Sequence, residues 1–267
     1  METGCVEGIT QKLIRAEKHF AEVRSVLRSC NKGRCKLIPE KDEQLDVLVL
    51  RISIEPKGSP TLSAVVGDFL FTIRCVLDHL VYGIVQRAGI TVSRQHMFPI
   101  TDSLSAFRKE AKRRLNGVPA DAQTVIERLQ PYNTGNEALR WLDCLHNMDK
   151  HRTLNVTIAV SSDTHFVWGD TGFEMFLGNE ELHDGAIMPV GVPLNVPAFS
   201  DVVNRLYEMK VEGECALFVA FKELSLDSSG DLEDFEVESV LHRIYNLVRH
   251  GALPDLEPFI DRPGNYS

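Results

Sequence analysis

The stretch "LRWLDCLHNMDKHRTLNV" joins a leucine stripe directly to a cluster of charge. Leu139, Leu142 and Leu145 recur at helical spacing, and Asp149 and Arg152 continue the same face, each one turn further on. A helix that aims Asp and Arg along its core-facing stripe must give them partners, because unpaired buried charge is expensive. The stretch therefore predicts a buried polar cluster, which is either a structural staple or an active site.

The chain around it is long enough to bury such a cluster. Its 267 residues, 43% hydrophobic and 25% charged, suit one large globular domain or two modest ones. A net charge of -9 counts against bulk electrostatic binding of nucleic acid, but leaves room for a small basic site on an acidic body. No apolar run approaches the roughly 20 residues that cross a membrane. "METGCVEGITQKL" has no charged-then-apolar signal pattern and no Gly directly after Met, so a cytoplasmic location without a membrane partner is expected. The six cysteines show no repeated short spacing. Cys30 and Cys35 bracket the turn-like "NKGR" with no second close Cys or His pair, so reduced thiols are expected rather than a zinc knuckle.

Hydrophobic periodicity predicts helices over 6–30, 61–88, 103–116, 119–130 and 136–153. Residues 44–55, "QLDVLVLRISIE", read as a strand. From about 154 to 224, short β-branched or aromatic runs between Gly, Asp and Asn predict an antiparallel sheet, with a short helix near 199–208. A last helix over 233–250 is ended by Gly251 and Pro254. In the 61–88 helix Val66, Leu70, Ile73, Leu77, Leu80, Val81 and Ile84 form a stripe, with Phe71, Cys75 and Tyr82 roughly opposite, which predicts a central helix buried from more than one direction. The fold class is α+β: a helical bundle with an antiparallel β-sheet and a C-terminal helix that packs back. The division expected is 1–153, mainly helical with a strand near 44–55, and 154–267, sheet plus last helix, the two packed as one unit.

Two motifs carry the candidate chemistry. In "RCVLDH", Arg74 and Asp78 are spaced for an i,i+4 ion pair. Alternatively Arg74 grips a phosphate while His79 moves a proton. Five residues apart on a regular helix, those two side chains point roughly 140° away from each other. In "HNMDKHR", Asn147 and His151 share one face, as orienting amide and general base, while Asp149 and Arg152 share another. Asp149 and Arg152 either tie this helix to 61–88, or Asp149 fixes an imidazole tautomer. Asp78, His79, Cys144, His146, Asp149 and His151 include metal-ligand types, but His146 and His151 are five apart and no "HExxH" occurs. No metal or other cofactor is assigned. "KEAKRR", Lys109–Arg114, is a solvated face or the place where nucleic-acid phosphates rest. "HMFPI" and "LQPY" read as anchors that pin loops to the body, and His96 among them is not read as catalytic. No Gly-rich phosphate loop, "GxSxG" or dinucleotide fingerprint is present.

Taken together, "VVGDFLFTIRCVLDHLVY", "MFPI", "LQPY" and "LHNMDKHR" resemble the motifs of an uncharacterised bacterial protein family, over roughly residues 60–155. That family often shows His-Asn just before the Arg, where this chain has Phe71 and Thr72. The resemblance implies no known activity. A looser resemblance links Arg74 with His79, and Arg243 with His250, to the Arg-then-His spacing of HEPN-like domains, helical bundles whose RNase members form their sites across a dimer. It implies RNA and a second copy of the chain as candidate partners. On this reading His79 or His151 is the base towards a 2′-hydroxyl and Arg74 or Arg152 the phosphate clamp. The competing readings are a non-enzymatic binding or assembly module with a structural cluster of Asp78, Asp149 and Asn147, and a metal-assisted hydrolase. The expected arrangement brings Arg74, Asp78, His79, Asp149, His151 and Arg152 together.

Overall fold

The computed structural model describes residues 4–30, 34–44, 47–55, 60–151, 156–160, 165–168, 173–176, 182–183, 185–193, 217–221, 224 and 235–261. It is an α+β protein, with a helical bundle, antiparallel strands and a C-terminal helix. Helix α1 (Gly4–Cys30) is followed by β1 (Arg34–Asp42) and β2 (Val47–Glu55), then α2 (Pro60–Arg87), α3 (Leu104–Arg114), α4 (Ala120–Arg128) and α5 (Glu137–His151). Strands β3 (Val156–Val160), β4 (His165–Trp168), β5 (Phe173–Phe176), β6 (Leu182–His183), β7 (Ile187–Pro193) and β8 (Leu217–Phe221) precede α6 (Val237–Asn246). The short helix expected near 199–208 lies outside the described residues.

The chain divides into two compact units, each assembled from separate segments. One comprises Met1–Arg24, Thr61–Leu154 and Glu238–Ser267, the other Ser25–Pro60 and Asn155–Val237. The division read from the sequence therefore differs in two places. The strand within 44–55 belongs with the later strands, because β2 pairs antiparallel with both β1 and β7. The last helix belongs with the helical unit. Its Val240, Leu241, Ile244 and Val248 are buried, and its Tyr245 hydroxyl donates to Glu17 of α1 at 2.5 Å.

The strands form three small antiparallel sheets, ordered β1-β2-β7, β6-β3-β8 and β4-β5, where the sequence led us to expect one. Strand β1 was not expected at all. "RCKLIPEKD" carries Pro39 and scattered charge and does not alternate. Those features suit the edge position it occupies, where a missing N–H costs no ladder bond and charge discourages further pairing.

In the helical unit α1 buries Ile9, Leu13, Ala16, Phe20 and Val23, and Phe20 meets Phe69 of α2 with ring centroids 5.7 Å apart. The expected stripe of α2 is buried in full, and Phe69 and Val76 are buried with it. The second apolar face is not: Phe71 is 57% and Tyr82 44% exposed. The last helix does not stop at Gly251. It widens into a π-helical stretch, Leu247–Ala252, and continues as the short turns Leu253–Leu256 and Pro258–Asp261. Leu253 N–H donates to the Val248 carbonyl, and Pro254 then falls in the first turn of the next stretch, where no N–H is needed.

Candidate functional site

The residue before a proline is held extended, so the peptide groups of Phe98, which precedes Pro99, find no helical partners. Phe98 is nonetheless fully buried, and its backbone N–H and C=O must be satisfied by other groups. Helix α2 supplies both. Arg74 Nη2 donates to the Phe98 carbonyl at 2.6 Å, and Asp78 Oδ1 accepts from the Phe98 N–H at 2.9 Å. The two side chains lie one turn apart and 3.4 Å from each other. Arg74 is 6% exposed. Burial pushes the Asp78 carboxyl above the usual range, and the Arg74 charge and the Phe98 N–H oppose that shift.

A second clamp grips the same segment three residues on. Gln130, fully buried, accepts from Thr101 N–H at 3.0 Å and from the Thr101 hydroxyl at 3.2 Å. Its amide nitrogen donates to the carbonyls of Pro99 at 2.9 Å and Ile126 at 3.0 Å. His96 Nδ1 accepts from Ser93 N–H at 3.0 Å. The "HMFPI" and "LQPY" motifs thus anchor a loop through polar groups as well as apolar ones.

Helix α5 meets α2 through Asp149, as expected, and also through His146, which was not expected in that place. His146 is 5% exposed and its ring lies 6.2 Å from that of Phe71. Burial, with the positive charges of Lys150 and Arg74, lowers its pKa to about 4. One turn earlier, burial raises the Asp143 carboxyl, while Arg74, Lys150 and Arg114 oppose the rise. Asn147 donates to Asp143 at 3.0 Å, so its amide orients that carboxylate rather than His151. Two nitrogens in this neighbourhood, Arg74 Nη1 and His146 Nε2, are buried with no hydrogen-bond partner among the described residues.

The expected meeting of six residues does not occur as drawn. Arg74 and Asp78 come together. His79 Nδ1 lies 2.7 Å from the carbonyl of Cys75 on its own helix. Asp149 packs against Gly67, seven residues and about 10 Å of helix rise from Arg74. A Cβ on Gly67 would lie 2.6 Å from both Asp149 carboxylate oxygens, so the glycine marks a close approach of α2 and α5. Burial, then the charge of Asp68, raises the Asp149 carboxyl. His151 is exposed at the end of α5, and Arg152 lies outside the described residues. In the second Arg–His pair, Arg243 lies over the Trp141 ring at 4.4 Å and His250 is exposed in the π-helical stretch. Among the described residues, no three His, Cys, Asp or Glu side chains are placed to hold a metal ion.

Sequence reasoning missed Asp143 and took His146 only as a metal ligand. Gly67, a glycine in the middle of a long helix, marks the approach of Asp149; nothing in the spacing marks Asp143 or His146.

Of the basic run on α3, Lys112 lines a groove of about 680 Å³ between α3 and α4, together with Arg108 just before the run. Its floor is Phe107, Ala111 and Leu115, and Arg108, Lys112, Asn116, Gln123, Thr124 and Glu127 line it further. Arg113 and Arg114 both bind Glu110, at 2.7 and 2.6 Å. Arg108 and Lys112 are exposed and make no ion pair with a described residue. The N-cap of α4, Pro119, offers no side-chain hydrogen bond to the helix start.

The chain matches no protein-family model, no curated protein and no solved structure at significant similarity. Among the described residues, no helix is long and apolar enough to cross a membrane.

Proposed function

We propose that the chain is a non-enzymatic binding module whose Arg/Asp/His cluster fixes helix and loop packing, and that RNA is the ligand to test first. The observation that carries this reading is the double hydrogen bond from Arg74 and Asp78 to the backbone of Phe98. A guanidinium engaged in the interior is poorly placed to grip a phosphate arriving from solvent. The resemblance to HEPN-like domains and the unpaired cations of the α3–α4 groove support RNA. Wild type, His79→Ala and His151→Ala incubated with an RNA panel should all leave it intact. Cleavage by wild type that is lost in a folded His79→Ala variant would overturn the reading.

One observation favours a second reading, RNA cleavage through residues not expected to carry it. Arg74 Nη1 and His146 Nε2 are both buried and unpartnered. His146 is neutral at pH 7 and so free to accept a proton from a 2′-hydroxyl beside the Arg74 cation, although a pKa of about 4 makes it a weak base. Their 6% and 5% exposure argues against access by a substrate. This reading requires cleavage that His146→Gln abolishes and His151→Ala leaves unchanged. We further propose a homodimer, tested by sedimentation, and a cytoplasmic location, tested by fractionation.

A further inference from the structure

We propose that the α3–α4 groove binds single-stranded RNA through its phosphate backbone; the proposal rests on the binding-module reading and gives that module its ligand site. Arg108 and Lys112 stand one turn apart on the exposed face of α3 and both line the groove. Like charges at i,i+4 repel, which favours an anion that bridges them. The one acidic residue of α3, Glu110, is already taken by Arg113 and Arg114 and does not neutralise Arg108 or Lys112. Four residues of helix rise about 6 Å, comparable to the separation of successive phosphates along an extended strand. Two cations so spaced suit a chain of phosphodiesters better than one small anion.

The rest of the lining sets the mode of binding. Phe107, the aromatic residue of the groove, is 3% exposed, so it offers no stacking platform and the bases are not gripped. Recognition is therefore independent of sequence. Glu127 and Thr124, on α4, present oxygen acceptors. A 2′-hydroxyl is a donor that DNA lacks, and a carboxylate in the lining favours RNA over DNA or an acidic peptide. The chain as a whole carries a net charge of -9, which favours strand binding at a local basic patch over binding across the surface.

The test is fluorescence anisotropy of a labelled oligouridylate with the full chain, across a salt series. The matched oligodeoxyuridylate and a polyglutamate peptide serve as competitors. Arg108→Glu/Lys112→Glu should weaken RNA binding at least about tenfold and reduce the slope of log affinity against log salt by about 1.4, two contacts at roughly 0.7 each. Arg15→Glu/Lys18→Glu, the same change of charge at exposed positions of α1, should leave the slope unchanged. Glu127→Gln should narrow the preference for RNA over DNA. Circular dichroism confirms that each variant folds. RNA binding that is equal in wild type and Arg108→Glu/Lys112→Glu overturns the groove while the binding-module reading stands. Loss of binding in the α1 control to the same degree, or tighter binding of DNA or polyglutamate than of RNA, also overturns the groove. Failure of wild type to bind any of the three probes overturns both.

Discussion

Two clusters of charge in the helical unit are built in opposite ways. Arg74 and Asp78 on α2 are buried, close to each other and engaged by the backbone of one loop residue. Arg108 and Lys112 on α3 are exposed, carry the same sign and face an open groove. The sequence singled out the first as candidate chemistry, whereas the basic run beside the second read as a solvated face or a resting place for phosphates. The difference teaches that a charged motif points to chemistry only once the demands of the chain's own backbone have been met. The first cluster meets such a demand; the second makes no ion pair with a described residue and lines an open groove.

The largest expected effect breaks the buried side of this contrast. Arg74→Ala strands the Phe98 carbonyl and leaves a mostly buried carboxylate without its cation, which should cost about 3–5 kcal/mol of stability. Urea denaturation measures it, and a loss below about 1 kcal/mol, within the range of an exposed pair, would show that the cluster is not a staple.

Acid sharpens the same side. The folded-state pKa of His146, about 4, lies below its ordinary 6.5. The unfolded chain therefore binds the extra proton between those values, and stability falls as pH drops from 6.5 towards 4, by on the order of 3 kcal/mol. The raised carboxyls of Asp78, Asp143 and Asp149 act in the other direction, since the folded state then holds their protons more readily. A His146→Gln variant should flatten the loss across that window. Parallel stability profiles for wild type and variant would contradict the burial of a neutral imidazole.

Smaller still is the expected effect at the α2–α5 approach. Gly67→Ala drives a methyl into the Asp149 carboxylate and should destabilise by about 1–3 kcal/mol. Gly67→Ala combined with Asp149→Ala should recover part of that loss, because the second change removes the group struck. The smallest stability effect belongs to the groove. Arg108→Glu/Lys112→Glu should stay within about 0.5 kcal/mol of wild type, as exposed substitutions generally do. A larger loss would mean that those cations support the fold and that the contrast is false.

The sequence made much of the helical unit legible. The stripes of α1, α2 and α5 are long and periodic, and the structure buries them. The i,i+4 pair of Arg74 and Asp78 could be read from spacing alone. What they hold could not, because a loop carbonyl and N–H are present at every residue and leave no mark in the pattern of side chains. Asp149, on the extrapolated leucine stripe, meets α2 at Gly67 rather than at Arg74. The charge of Arg74 is felt instead by Asp143 and His146, one to two turns earlier on α5. The second face of α2 misled for a different reason: Phe71 and Tyr82 are apolar enough to be buried, yet they keep 57% and 44% of their surface exposed. Strand β1 was hidden by Pro39, which forbids a central strand but not an edge one.

Amide hydrogen exchange at Phe98 tests the central claim most directly. In wild type the Phe98 and Thr101 amides should be protected although they lie outside any helix or strand, and Asp78→Ala should release Phe98 while Thr101, held by Gln130, stays protected. A Phe98 amide in wild type that exchanges as fast as that of exposed Arg94 would contradict the account.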